Sequence, residues 1–442
     1  MIFRLIVASV LTGLISGAFI LFYEYLIEFF TRLFFFGDPT LTIPTLPVWY
    51  IYALPTVAIF FVNLIIDYDR NVREYGINEI AESIANNELT IKLKTLFLKV
   101  VASALSLATG FAVGTEGPSA GIGALIAYHI HKYARLPQAL TKMMISVGAS
   151  SGIAAVFISP ITGMAFAVEQ IAYQFIKQYI TYLILASVTA FAVTVHYLDP
   201  ILFKHSTGKV IDNSYLVATL MFIPFITAFV FLYLFLKQRL LWLVDHEVFK
   251  KFHRYRNLIF SFIGGATVGT ILLLNPHAAF TGKGVVMHLI NADTMIPLSL
   301  ILSVIILRII ATTVAIYANA VGGIFLPLMS IGALIGYGFA EAFSMVHFTV
   351  EPFYFAAIGA AVFMGVLMKL PLTAVILAME TTLDYNVVIA TGISVVLVDY
   401  LTGLYFDIRK RNATRIERKI NERKKREEKE NEASKETDSN QA

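Results

Sequence analysis

The sequence contains no cysteine, only two tryptophans and few charged residues. Because cysteine is absent, the chain can form neither disulfides nor thiolate metal sites. Charged residues make up 14% of the 442 residues and hydrophobic residues 57%, whereas a typical soluble domain has about 25% charged residues. The composition therefore excludes an ordinary soluble domain and predicts a multi-pass protein of the cell membrane, in contact with the lipid bilayer.

Apolar segments cover nearly the whole chain and fall into two kinds. Segments close to or above the roughly 18 residues of a membrane helix are 5–23, 48–66, 180–195, 216–236, 259–274 and 296–316. Shorter segments, or segments interrupted by glycine and proline, are 95–113, 143–158, 359–370 and 387–404. Long helices mixed with broken ones are typical of transporters and channels.

The composition changes abruptly at Arg409. Residues 409–442 hold 12 Lys/Arg and 8 Asp/Glu, a net charge of +4 that equals the formal charge of the whole chain. Basic segments next to membrane helices stay in the cytoplasm. We therefore expect a transmembrane domain over 1–408 and a cytoplasmic tail over 409–442, which anchors the topology. A specific lipid or nucleic-acid contact of the tail is the alternative, and nucleic acid is not among the expected partners.

The chain contains an internal duplication with an offset of about 210 residues. GTEGPSAGIGALIAY, which begins at Gly114, aligns with GIFLPLMSIGALIGY, which begins at Gly323. SPITGMAFAVEQ (159–170) aligns with LPLTAVILAMET (370–381), and this alignment pairs Glu169 with Glu380. The matches keep their order and spacing, so we expect two repeats, over about 1–198 and 215–407. The fold class is all-α with two structural repeats, and we favour an inverted arrangement with the site at their interface.

The repeated motif predicts a helix N-terminus in each half, because proline suits the first helical turn. A helix N-terminus offers free backbone N–H groups and a partial positive charge, which together bind anions. Glu116 places a carboxylate at such a site, where it can occupy the anion position or leave it. The simpler interpretation is a capping carboxylate. The second repeat has Phe325 at the equivalent position, so the fold does not need an acid there.

At these residues the chain resembles the CLC family of chloride channels and proton/chloride exchangers, in the prokaryotic form without C-terminal regulatory domains. GTEGP (114–118) matches the family motif G(K/R)EGP except for Thr115, and GIFLP (323–327) matches GxFxP. The resemblance covers about residues 1–411. It implies transport of chloride or a similar anion, exchange of protons, a homodimer, and Glu116 as the gate.

The resemblance also implies the anion contacts. The outer site takes the amides of Thr115, Glu116, Gly117 and Leu326. The central site takes the amides of Ile324 and Phe325 with the Tyr405 hydroxyl, although Tyr405 can instead be an interfacial aromatic residue.

Two departures from the family pattern bear on the mechanism. The first motif reads EYGIN (74–78), where the family has GSGIP: Gly76 keeps its place, but Tyr75 replaces the serine that coordinates the central anion. Gln170 stands where many exchangers have an internal proton-accepting glutamate, and an amide does not titrate. Glu74 and Glu79 are candidate substitutes. For Glu169 and Glu380 we favour a paired structural role, as caps or in salt bridges.

Proton-coupled antiport is slightly favoured over a passive chloride channel. Two other hypotheses remain: selectivity for another anion such as fluoride or nitrate, because of Tyr75, and a non-transporting membrane scaffold. No catalytic set, metal-ligand spacing or cofactor motif is visible in the sequence, so we do not expect an enzyme.

Overall fold

The computed structural model describes residues 1–74, 93–170, 176–198, 213–244, 256–290, 296–345 and 350–407. Within these ranges the chain is nearly all helical, and the only β-type pairing is one isolated bridge between Gly114 and Gly323. The predicted all-α fold is confirmed. Tyr75, Gly76, Asn78, Glu79 and the tail 409–442 lie outside the described residues.

The first half of the chain contributes nine helices to the described structure. They are α1 (Ile2–Phe35), α2 (Pro39–Thr42), α3 (Val48–Tyr68), α4 (Asn71–Glu74), α5 (Leu93–Ala108), α6 (Glu116–Tyr133), α7 (Thr141–Phe157), α8 (Pro160–Gln170) and α9 (Ile176–Thr194).

The second half contributes eight helices to the same description. They are α10 (Asn213–Val244), α11 (Arg256–Leu274), α12 (Lys283–Ile290), α13 (Leu298–Tyr317), α14 (Phe325–Ser344), α15 (Pro352–Met368), α16 (Pro371–Thr382) and α17 (Val387–Asp407). The duplicated motifs begin α6 and α14, and the second matched block forms α8 and α16.

Eight of the described helices are long and apolar enough to cross a membrane: α1, α3, α7, α10, α11, α13, α14 and α17. The most apolar window of α14 is 94% buried and that of α7 is 89% buried, whereas those of α3, α10 and α17 are 39% buried. The repeated motifs therefore belong to the centre of the protein, and the peripheral helices leave apolar surface exposed. This arrangement confirms a multi-pass membrane protein.

Paired glycines bring the central helices together in the same way in both halves. A Cβ atom on Gly123 of α6 would overlap the carbonyl of Gly148 in α7, and a Cβ on Gly332 of α14 would overlap the carbonyl of Gly359 in α15. Small residues allow such close approach between membrane helices. Because these pairs occupy equivalent positions, each repeat contains the same two-helix unit.

Candidate functional site

The two repeats meet where their central helices begin. Gly114 N–H donates to the Gly323 carbonyl over 2.7 Å, and Gly323 N–H donates to the Gly114 carbonyl over 2.8 Å. The pairing is antiparallel. Because each glycine is the repeat equivalent of the other, the contact is reciprocal, as in a two-fold interface. It brings the first residues of α6 and α14 together inside the protein.

The Glu116 carboxylate lies across this junction, on the N-terminus of the opposite helix. Its Oε1 accepts hydrogen bonds from the backbone N–H groups of Phe325, over 2.5 Å, and Leu326, over 3.3 Å. Its side chain is completely buried, and Oε2 has no hydrogen-bond partner within the described part of the chain. A negatively charged group thus occupies free amides at the start of α14.

These amides form a site for an anion, because the first N–H groups of a helix have no partner within it and carry partial positive charge. Here the occupant belongs to the protein itself. The Glu116 carboxylate therefore occupies backbone donors that suit an anion.

One face of the junction opens into a cavity of about 350 Å³, named the inner cavity because its lining includes Gln170, which the family resemblance assigns to the internal side. Its lining includes Glu116, Gly117, Gly323, Ile324 and Phe325 from the junction, with Arg73, Lys99, Gln170, Leu367 and Met368 from the surrounding elements. Among the described residues of this lining, two basic side chains accompany one carboxylate, and an excess of positive charge in a cavity attracts small anions.

Lys99 is the functional candidate that the sequence analysis missed. It belongs to α5, is 2% exposed, and its Nζ donates to the Val72 carbonyl over 3.3 Å. A buried lysine without an acidic neighbour in its own apolar segment is expensive in a membrane and indicates function. That signal was present in the sequence as a lone cation within residues 95–113.

The opposite face of the junction opens into an outer cavity of about 890 Å³. Thr115 lines this cavity, whereas Gly117 lines the inner one. Glu116 lies between these two residues in the sequence, and its side chain lines the inner cavity. It therefore separates the two cavities.

Glu169 and Glu380 form a reciprocal pair of helix caps. Glu169 accepts hydrogen bonds from the N–H groups of Leu372 and Thr373, over 2.7 and 2.8 Å, at the start of α16. Glu380 accepts from the N–H groups of Ile161 and Thr162, over 3.0 and 2.6 Å, at the start of α8. The predicted structural role is confirmed, and the contacts are caps.

The structure gathers most of the residues assigned from the sequence. Glu116, Gly117, Ile324 and Phe325 line the inner cavity, as does Gln170. Leu326 donates to Glu116, and Thr115 lies on the outer side.

Tyr405 is not brought to this site. It lies inside α17, 45% of its surface is exposed, and its ring contacts the ring of Phe231 with centroids 4.7 Å apart. Since α17 continues to Asp407, it holds the phenol on its outer surface. The alternative interpretation, an interfacial aromatic residue, fits this position.

Two helices, α6 and α14, one from each repeat, begin at a buried junction between two cavities, and their N-termini suit an anion. This arrangement is typical of a membrane transporter or channel for small anions. The chain belongs to the voltage-gated chloride channel family, whose sequence model matches residues 57–403.

Relatives and solved structures agree with this placement. The chain is 25% identical over 383 residues to the H(+)/Cl(-) exchange transporter ClcA of Vibrio campbellii, with 81% of this chain and 78% of that protein covered. It is 26% identical over 326 residues to ClcA of Salmonella arizonae, with 71% and 67% covered.

The fold is similar to a slow cyanobacterial Cl-/H+ antiporter, with a TM-score of 0.79, 22% identity, and 90% of this chain and 93% of that chain covered. It is also similar to a CLC-type fluoride/proton antiporter, with a TM-score of 0.71, 19% identity, and 90% and 95% covered. The expected fold family is confirmed.

Proposed function

We propose that the protein exchanges chloride, or a similar small anion, for protons across the cell membrane, with Glu116 as the gate. The observation that carries this proposal is the Glu116 carboxylate on the amides of Phe325 and Leu326. The related exchangers named above support coupling to protons.

In the proposed cycle, Glu116 and the transported anion use the same amides in turn. Protonation removes the charge that holds the carboxylate there, so the side chain vacates the site and an anion binds. Loss of the proton restores the carboxylate and displaces the anion. Binding by amides suits transport, since a site must hold the ion and also release it. Arg73 and Lys99 attract the anion into the inner cavity.

The remaining anion contacts are part of the proposal. The amides of Thr115 and Gly117 complete the outer site, and those of Ile324 and Phe325 form the central site. The phenol of Tyr75, with Gly76 beside it, stands in place of the family's serine. A phenol donates one hydrogen bond but is bulkier than serine. Selectivity for fluoride or nitrate is therefore the second candidate.

The inner proton route avoids Gln170, which has no titrating proton. We propose that another acid or a chain of water molecules connects Glu116 to the inner solution. The assembly is proposed to be a homodimer, with the basic tail in the cytoplasm.

The test is flux and reversal potential with the purified protein in lipid membranes under a pH gradient. In the wild-type protein, an anion gradient should drive protons in the direction opposite to the anion, and the anion flux should depend on pH. Glu116→Gln should abolish proton flux and leave a pH-independent anion flux, because the amide mimics the neutral acid.

Glu341→Gln is the matched control. Glu341 is also a buried acid, 5% exposed, but it lies 16 residues beyond Phe325, about 24 Å along α14. This control should behave as wild type. A reversal potential that ignores pH would support a passive channel, and pH-dependent flux that survives in Glu116→Gln would refute the gate.

Replacement of chloride by other ions decides the substrate. Chloride flux as fast as that of fluoride and nitrate would rule out altered selectivity. No flux of any anion, in the wild type or in Tyr75→Ser, would support the non-transporting scaffold.

A further inference from the structure

Glu116 is not among the described residues that line the outer cavity, although it must exchange protons with both sides in the proposed cycle. Its side chain is fully buried, and the residue that faces the outer cavity at this point is Thr115. Protons from the outer solution therefore need a carrier beside Thr115.

Glu24 is the acid at that place. It lies in α1, is half-buried, and lines the outer cavity together with Thr115. Glu24 and Thr115 line the same space of this cavity, and the Glu24 carboxylate is close enough to Glu116 for their charges to interact. Glu24 thus lies at the outer cavity and beside Thr115, the residue that precedes Glu116.

Lys283 supplies a positive charge to the same acid from the other repeat. It stands at the start of α12, lines the outer cavity, and interacts electrostatically with Glu24. Thr115 is uncharged, so Lys283 is a basic side chain that the cavity brings to Glu24 from outside the gate motif.

Other charged or titratable groups also surround Glu24. Tyr23, next to it in α1, is buried, shares a hydrogen bond with Ser103, and interacts with both Glu24 and Glu116. The described lining of the outer cavity adds Tyr25, Glu28, Arg32, Asp38, Tyr197 and His277. Glu28 forms an ion pair with Arg32 over 2.5 Å, so the two largely cancel each other's charge.

We propose that Glu24 carries protons between the outer cavity and Glu116. This proposal rests on the proposed exchange of protons for anions. In the inward step, neutral Glu24 gives up its O–H proton and the Glu116 carboxylate takes up one proton, so Glu24 becomes charged and Glu116 neutral. No electron is transferred. Two nearby carboxylates disfavour the doubly charged state, which favours one proton shared between the pair.

The experiment measures proton and anion flux in planar bilayers, with the pH varied on one side at a time. Glu24→Gln should lower proton flux at least about tenfold, since loss of a positioned proton donor or acceptor costs roughly 10²–10⁴-fold. Anion flux should persist, because the amides of α14 remain. Glu28→Gln is the matched control, one helical turn further along α1 and in the same cavity, and it should leave both fluxes unchanged.

Glu24→Asp separates proton transfer from a structural role. It keeps a titrating group, so proton flux should recover at least in part, and only its dependence on outer pH should differ from that of the wild type. Wild-type proton flux in Glu24→Gln would overturn this inference alone. Equal loss of proton and anion flux in Glu24→Gln and Glu24→Asp would also overturn it. Absence of proton flux in the wild type would overturn the exchange proposal as well.

Discussion

The two repeats place a buried cation at equivalent positions but use it differently. Lys99 and Arg308 are separated by 209 residues, the same offset as Gly114 and Gly323. Lys99 donates to one described carbonyl, that of Val72, and lines the inner cavity. Arg308 donates to three carbonyls in the segment before α12, those of His277, Ala279 and Thr281.

The difference shows that the two repeats, although alike in fold, place different chemical groups on the two sides of the junction. Arg308 is 0% exposed and holds the backbone beside the outer cavity, so its role is mainly structural. Lys99 is also buried but lines the inner cavity, so its charge lies beside that cavity. The same asymmetry applies at the junction, where the first repeat supplies the Glu116 carboxylate and the second supplies the amides that bind it.

The largest expected effect is that of Arg308→Met on folding. The substitution removes the donor of three carbonyls, of which that of Ala279 is buried and those of His277 and Thr281 are partly buried. A buried group left unsatisfied costs about 1–3 kcal/mol. We expect a loss of about 3 kcal/mol or more, seen as a much lower midpoint in denaturant-induced unfolding of the purified protein. Lys99→Met, measured in parallel, should lose less, because Lys99 borders a cavity that can admit water, whereas Arg308 is packed among backbone carbonyls. Equal losses would contradict the division of roles between the two cations.

A smaller effect is expected at the reciprocal caps, where the repeats remain alike. Glu380→Ala and Glu169→Ala each remove the acceptor for two backbone N–H groups and a threonine hydroxyl, and Glu380→Ala also removes the acceptor for the Ser159 hydroxyl. Each should lower the free energy of unfolding by about 1–3 kcal/mol. Lys369→Ala is the control, because it breaks only the exposed ion pair with Asp399, worth about 0–1 kcal/mol. Caps that differ by more than that control would show that the repeats have diverged here too.

The helices and the position of Glu116 could be predicted from the sequence, because they depend on local patterns. Apolar runs give the helices, and the repeated motif gives the helix starts and the position of Glu116. The partners of a side chain are not local. A lone cation such as Lys99 does not show which cavity it faces. Tyr405 matched a family motif, but its orientation depends on how far α17 continues and on its contact with Phe231.

The smallest expected effect, and the most specific to transport, is that of Lys99→Met. Methionine keeps the length of the side chain in an apolar helix, so it removes the charge with little change in packing. Without this cation the inner cavity attracts anions less strongly, and we expect anion flux at low concentration to fall about tenfold, which corresponds to about 1.4 kcal/mol.

The matched control for that prediction is Lys94→Met. Lys94 is in the same helix but stacks over the Tyr68 ring at 4.1 Å, outside the lining of the inner cavity. It should transport as the wild type does. At saturating anion, Lys99→Met should approach the wild-type rate, because the binding amides of α14 are intact. Equal losses in both variants would place the effect in general surface charge, and an unchanged concentration dependence in Lys99→Met would show that its charge does not act on the transported anion.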